Sequence, residues 1–141
     1  MKATVLYRIA AVVFVLFALG HTYGFLSLRA PSAEGRAVFD AMNAVHFVVH
    51  GRSYAYGEFY RGFGLSCTVS MIFSAFFSWH LGELARSAPS AIGVMGWVFV
   101  AVQGAGVVLS WKYFGPPPVV LSAALTLLLA WAAWLARRST S

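Results

Sequence analysis

The feature that most constrains this chain is a set of four long apolar stretches joined by more polar segments. They cover approximately residues 9–28, 59–81, 92–111 and 119–136. A helix needs about 20 mostly apolar residues to cross the hydrocarbon core of a bilayer, and each stretch has about that length. The pattern predicts an all-α fold, in which one integral membrane domain over residues 1–141 forms a four-transmembrane-helix antiparallel bundle.

The amino-acid composition argues against a soluble protein. Hydrophobic residues make up 60% of the chain and charged residues 10%, whereas a soluble domain is about half apolar and about a quarter charged. A domain of this size cannot bury so much apolar side chain, because its surface is large relative to its volume. The net charge of +6 comes from basic residues scattered at the ends of apolar runs. That distribution predicts contacts with membrane lipids and no nucleic-acid partner.

Two short connections set the direction of the later helices. A polar segment, Gly82–Ser90, contains Pro89 as a helix stop, and Gly115 precedes three prolines that cannot continue a helix. Short connections place consecutive helices antiparallel. The distribution of Lys and Arg between the two sides favours cytoplasmic N- and C-termini once Arg52 and Arg61 are set aside as partly buried.

The first apolar stretch has a second interpretation as a cleaved signal peptide. Lys2 and Arg8 precede it, and the segment Ala18-Leu19-Gly20 resembles a cleavage site with small residues. The apolar character nevertheless continues as far as Leu28, which favours a full span.

The long connection between the first two spans contains an amphipathic pattern. Ser32 can begin a helix, and an apolar stripe follows at helical spacing, made of Val38, Met42, Val45 and Val49. The other side of that helix carries polar residues: Asp40, Asn43, His46 and His50. We therefore expect a helix over about residues 33–50 that lies in the interface or folds over the bundle.

Several polar residues converge on the side of the membrane that holds this long connection. The antiparallel order brings together His21, Arg52, Glu58, Arg61 and Gln103, with His46, Tyr54 and Tyr60 nearby. Polar groups are expensive to bury in lipid, so those inside a membrane protein are candidates for function. This convergence holds for either orientation of the protein.

The candidate catalytic residues are Glu58 and His21. A carboxyl group partly removed from water can act as a general acid, and a histidine can exchange protons with it. Arg52, Tyr54, Arg61, Gln103, His46 and Tyr60 would bind or orient a ligand. The main candidates also have structural alternatives: Glu58 could form an ion pair with Arg61 that anchors the second span, and Gln103 could form a helix–helix hydrogen bond.

Metal and haem sites are weakly indicated. His46 and His50 stand four residues apart and could share a metal ion on one helix face, but a site needs further ligands. A pair of interfacial histidines is the more ordinary interpretation. His21 and His80 lie at opposite ends of their spans, which argues against a bis-histidine haem. We expect no metal and no cofactor.

A stripe of small residues runs along the second span and is typical of close helix packing. It comprises Gly64, Cys67, Met71, Ser74 and Ser78. Such faces also predict association of two copies of the chain.

The segments Gly20-His21-Thr22, Arg52-Ser53-Tyr54 and the run from Glu58 to Leu65 resemble an uncharacterised family of small bacterial four-helix integral membrane proteins. Trp111-Lys112-Tyr113-Phe114 followed by prolines fits the same pattern. The resemblance covers nearly the whole chain and implies location in the bacterial inner membrane. In that family Asp is common at the position of Glu58, and an apolar residue at that of His50, so the resemblance implies no shared role for His50.

Three functions are compatible with these residues, and the sequence leaves open whether the protein is an enzyme. The first is a pocket for a lipophilic small molecule with acid–base chemistry, such as isomerisation, cyclisation or epoxide opening. The second is a non-catalytic structural or accessory membrane subunit. The third, a small transporter, lacks the mid-span acidic residue expected for proton coupling.

Overall fold

The computed structural model describes residues 2–139. Its helices are α1 (Ala3–Leu26), α2 (Ala33–Ala44), α3 (Tyr56–Ser87), α4 (Gly93–Tyr113) and α5 (Pro116–Arg138), with a short 3-10 helix at Pro89–Ala91. Strands β1 (His46–Val49) and β2 (Arg52–Ala55) form a hairpin. The all-α prediction is confirmed, since this hairpin is the one sheet within the described range.

Four of the helices, α1, α3, α4 and α5, are long and apolar enough to cross a membrane. They correspond to the four predicted spans and indicate an integral membrane protein. Their ends differ from the predicted ends by up to six residues, and α3 extends furthest, running from Tyr56 to Ser87. Hydropathy marks the apolar part of a helix, whereas hydrogen bonding continues into the polar turns that flank it.

The chain divides into two compact units, which are described separately. The helical unit comprises the described residues up to 15 and from 73 onward, and the loop unit comprises residues 16–72. The core of the helical unit contains fully buried Leu6, Tyr7, Leu81, Leu125 and Leu129. Burial on α1 recurs at steps of three and four residues, the spacing of one helix face.

Helices α4 and α5 pack closely because small residues meet between them. A methyl group on Gly96 would lie 3.3 Å from Cβ of Ala133 and 3.0 Å from the Tyr7 hydroxyl oxygen. Ala133 is buried, so the helix backbones approach at this level without large side chains between them.

An ion-pair group joins α1 to α3 in the helical unit. The Arg8 guanidinium donates to one oxygen of Glu83, and Arg86 donates to the other at 2.9 Å. Arg8 also lies over the Trp79 ring, 5.1 Å from its centroid. The Glu83 carboxylate therefore links Arg8, in the first half of α1, to Arg86, near the end of α3.

In the loop unit, α2 begins where the sequence predicts and ends earlier. The Ser32 hydroxyl accepts a hydrogen bond from the Gly35 amide at 3.0 Å, which caps the first turn. The helix ends at Ala44, so the predicted helix over 33–50 is wrong beyond that residue.

The residues after α2 form the hairpin instead of a helix. β-branched side chains are dense in β1, and the two-residue turn His50–Gly51 has φ of 50° and 77°. Positive φ at both central positions is the requirement of a type I′ turn, whose twist matches that of the paired strands. Phe47 therefore pairs with Tyr54, and Val49 with Arg52.

Candidate functional site

Two polar contacts join α1 to α3 within the loop unit. His21 donates from Nε2 to the carbonyl oxygen of Gly64 at 3.0 Å. One residue further along α1, the Thr22 and Thr68 hydroxyl oxygens lie 2.8 Å apart. His21, predicted as a catalytic partner, thus has one ring nitrogen engaged in a helix–helix hydrogen bond.

A close approach of α1 to α3 accompanies these hydrogen bonds. The Phe25 ring packs against the backbone of Gly64, where a Cβ atom would overlap it. The same ring stacks on His21 at a centroid distance of 5.8 Å and contacts Tyr60 at 5.3 Å. A side chain at position 64 would therefore force the Phe25 ring to move.

Glu58 caps the start of α3. Its Oε2 accepts a hydrogen bond from the Ala55 amide at 3.0 Å. Because α3 begins at Tyr56, Glu58 is the third helical residue, and the contact is the carboxylate half of a capping box. The side chain thus satisfies a donor at its own helix end.

The ion pair that the sequence allowed between Glu58 and Arg61 is not formed. Across residues 2–139, both ion pairs within 4.0 Å use Glu83. The physical reason is that a carboxylate in the first turn reaches back to the N-cap amide, whereas Arg61 stands one turn further along α3.

Tyr54 and His46 lie on the two strands of the hairpin, Tyr54 on β2 and His46 on β1. His46 donates from Nδ1 to the Ala44 carbonyl oxygen at 2.9 Å. Phe47 contacts the rings of Tyr54, Tyr56 and Phe59 at centroid distances of 6.0, 4.8 and 5.6 Å. Arg52 begins β2, at the end of the hairpin next to the turn.

The arrangement of His46 and His50 on one helix face is wrong, because His46 lies on β1 and His50 in the turn. Within the range that the structure describes, no group of three or more His, Cys, Asp or Glu side chains could hold a metal ion.

A cavity of 140 Å³ lies where α1, α2 and α3 meet. We call it the loop-side cavity. It is lined by Phe25, Leu26, Leu28, Phe39, Asn43, Gly57, Tyr60 and Arg61. Two predicted ligand-binding residues, Arg61 and Tyr60, thus share one cavity.

The other predicted site residues of the loop unit lie outside the lining of this cavity: His21, His46, Arg52, Tyr54 and Glu58. Sequence reasoning missed Asn43 and Phe39 of α2. Asn43 stood on the polar side of the predicted loop helix, and that position was the available signal. Gly57 leaves room for Asn43, since a Cβ there would overlap the amide oxygen.

Gln103 belongs to the helical unit. Its Nε2 donates to the Ser74 hydroxyl at 3.3 Å, and Ser74 is buried. This is the helix–helix hydrogen bond considered as the structural alternative for Gln103.

No family model, curated protein or solved structure matches the chain. The resemblance to small bacterial four-helix membrane proteins therefore stays a prediction.

Proposed function

We propose that this chain is an integral membrane protein that binds an amphipathic small molecule with an anionic head in the loop-side cavity, without reacting with it. The observation that carries this proposal is the position of Arg61. Its side chain is exposed and lines a cavity that also includes four apolar side chains, and among residues 2–139 no carboxylate lies within 4.0 Å of its charged nitrogens. A cation in such surroundings favours an anion that enters with apolar atoms attached.

The chemistry of the lining supports this class of ligand. The guanidinium of Arg61 presents several N–H donors in one plane and can bind a carboxylate or phosphate through two of them. Asn43 and Tyr60 add hydrogen-bonding groups, while Phe25 and Phe39 add apolar rings. A volume of 140 Å³ corresponds to about four or five waters at roughly 30 Å³ each. It suits a head group and its first carbons, with the remaining chain in the bilayer.

The positions of Glu58 and His21 outside the lining of the loop-side cavity argue against catalysis by these residues on a ligand bound there. A general acid or base must come within hydrogen-bonding distance of the reacting atom. Glu58 accepts from the Ala55 amide and His21 donates to Gly64, and neither lines the cavity. Isomerisation, cyclisation or epoxide opening stays a prediction that requires Glu58 Oε1 or His21 Nδ1 to reach a substrate bound outside this cavity.

A second candidate function is a structural or accessory membrane subunit. It is supported by α4, in which a Cβ added at Gly104 or Gly106 would meet no described atom within 4 Å. Such open glycines allow the helix of another chain to approach closely. Transport has less support, because the acidic residues of the four long helices, Glu58 and Glu83, lie near the two ends of α3.

The proposal includes a bacterial inner-membrane location for a bundle of the four long helices, with both termini in the cytoplasm. The distribution of Lys and Arg supports this orientation. We expect an N-terminal tag to be inaccessible to protease in intact spheroplasts.

Photocrosslinking tests the position of the ligand. The full-length protein is placed in bilayers of zwitterionic lipid with a long-chain fatty acid that carries a diazirine close to its carboxylate. We expect labelled peptides to include residues 25–28 and 39–43, and labelling to fall about tenfold in Arg61→Gln, as loss of a charged hydrogen bond predicts. Arg29→Gln removes an exposed arginine of the same unit and is the matched control.

Equal labelling of the wild type and Arg61→Gln would contradict the binding proposal. Crosslinks between two protein chains through α4, without labelling at the cavity, would favour the accessory-subunit function instead.

A further inference from the structure

Helix α1 carries an apolar groove on the side that faces away from the core of the helical unit. Leu6 and Tyr7 are fully buried in that core, whereas Val5, Ile9 and Val12 are exposed. These three exposed residues follow one another at steps of four and three, the spacing of one helix face. The groove has a volume of 330 Å³, and we call it the α1 groove. It is lined by Val5, Arg8, Ile9, Val12 and Val13.

The one charged residue in the lining of the α1 groove belongs to a group with an excess of positive charge. Arg8 and Arg86 donate to the two oxygens of the same carboxylate, that of Glu83. Among residues 2–139, Glu83 supplies the one carboxylate within 4.0 Å of either guanidinium. Two cations therefore share one anion, and one positive charge is left uncompensated beside the groove.

Both guanidiniums keep donors that a further anion can use. A guanidinium has five N–H donors, and the contacts with Glu83 use one nitrogen, Nη2, of each arginine. The side chains of Arg8 and Arg86 are 42% and 69% exposed, so a ligand can reach them from outside the protein.

The position of this charge beside an apolar groove favours a phospholipid as the occupant. A phosphodiester carries one negative charge, which matches the excess, and a guanidinium can donate to two of its oxygens. The exposed ring of Trp79 lies under Arg8, and Trp is enriched where a membrane protein meets the lipid head groups. An acyl chain attached to the phosphate would cover the apolar residues of the groove, whereas a free anion would leave them uncovered.

We propose that an anionic phospholipid binds here, with its phosphate at Arg8 and Arg86 and one acyl chain along the α1 groove. The excess charge favours a head group without an amine, because an ammonium group would be repelled by the arginines. This site uses a different unit and different arginines from the loop-side cavity, so either proposal can fail alone.

Retention of lipid by the purified full-length protein tests this site. The protein in detergent is mixed with phosphatidylglycerol and phosphatidylcholine of identical acyl chains, passed through gel filtration, and analysed for bound lipid by mass spectrometry. We expect the wild type to prefer phosphatidylglycerol, and Arg86→Gln to retain about fivefold less of it. Lys112→Gln removes an exposed positive charge from the same unit, in the last turn of α4, and should change retention by less than about twofold. An equal loss in both variants would overturn the proposal.

Glu83→Gln separates the charge of the group from its structural role. Arg86→Gln and Glu83→Gln both remove the ion pair between α3 residues 83 and 86, so a purely structural effect would lower retention in both. The proposal requires opposite signs, because Glu83→Gln increases the excess of positive charge and should raise retention of phosphatidylglycerol about fivefold. A loss of retention in folded Glu83→Gln would overturn the proposal. Arg86→Gln keeps the pair of Arg8 with Glu83, so it decides the outcome if Glu83→Gln does not fold.

Photolabelling tests the contribution of the α1 groove. Phosphatidylglycerol with a diazirine on its acyl chain should label residues 5–13 of the wild type more strongly than phosphatidylcholine with the same chain. Equal labelling by the two lipids would overturn the proposal. Protection of this segment by a second copy of the chain, seen as an unlabelled dimer in native mass spectrometry, would also overturn it.

Inorganic phosphate distinguishes a lipid head from a free anion. An excess of inorganic phosphate should leave the bound phosphatidylglycerol in place, because the acyl chain contributes to binding. Displacement of the lipid by inorganic phosphate would overturn the assignment of a lipid.

Discussion

The hydroxyl groups of Thr22 and Thr68 share one hydrogen bond between α1 and α3, with their oxygens 2.8 Å apart. Thr22 also donates to the carbonyl oxygen of Ala18 at 2.7 Å, so the proton between the two threonines belongs to Thr68. With the adjacent contact from His21 to Gly64, this bond gives the Gly-His-Thr segment of α1 a structural role in the loop unit.

A double-mutant cycle at Thr22 and Thr68 measures the strength of this bond. Valine has nearly the shape of threonine and lacks the hydroxyl group. We expect Thr22→Val and Thr68→Val to be coupled by about 0.6 kcal/mol, the average for interhelical hydrogen bonds in a membrane protein. The free energy of unfolding in mixed micelles provides the measurement. Strictly additive effects would show that the two hydroxyls do not interact.

Gly64→Ala should destabilise the loop unit, because the added Cβ overlaps the Phe25 ring. Overpacking of this kind costs about 1–3 kcal/mol. Gly62→Ala is the matched control on the same helix, since a Cβ there meets no described atom within 4 Å. It should be neutral or stabilising by up to about 1 kcal/mol, the gain in helix propensity. If thermal denaturation showed Gly62→Ala to be less stable than Gly64→Ala, this packing would be disproved.

Substitutions at Glu58 separate capping from proton transfer. Gln can accept the same hydrogen bond from the Ala55 amide, so Glu58→Gln should keep the stability of the wild type. Glu58→Ala loses that bond and should lower the free energy of unfolding by about 1 kcal/mol. Denaturation of both variants tests the cap. If a molecule bound by the protein is converted by the wild type and not by folded Glu58→Gln, the acid–base hypothesis is favoured over simple binding.

The hairpin turn depends on the conformation at His50, whose φ is 50°. A left-handed residue other than glycine costs roughly 1–2 kcal/mol, and asparagine and glycine tolerate it best. His50→Val should therefore speed hydrogen exchange of the β1 and β2 amides, and His50→Asn should leave it unchanged. Ser53→Val, on β2, is the control for adding a β-branched residue to the hairpin. Slower exchange in His50→Val would contradict the assigned turn.

The four long helices could be predicted because a bilayer requires every backbone group to be satisfied within the segment, and about 20 apolar residues then specify a helix. The end of α2 could not be predicted by the same means. Val38, Met42, Val45 and Val49 all fit the helical period, so the pattern predicts a helix that continues up to the turn at His50–Gly51. Residues 46–49 form a strand because they pair with β2, and the spacing of apolar residues within one segment carries no information about such a partner.

Topology predicts that the end of α1 faces the start of α3, and His21 does meet α3. The partner of Glu58 was harder to predict, since the capping interaction depends on α3 starting at Tyr56, before the predicted apolar stretch begins at about residue 59. A shift of one residue changes which amide a first-turn carboxylate reaches. Asn43 was missed because its contact with Gly57 depends on how α2 packs on α3.

The most direct test of the central claim is the affinity of the purified protein for a long-chain fatty acid and for the fatty alcohol of the same length. If Arg61 recognises an anionic head in the loop-side cavity, the wild type and Arg29→Gln will bind the acid more tightly than the alcohol. In Arg61→Gln the two affinities will be equal. A preference for the acid that persists undiminished in Arg61→Gln would contradict the account.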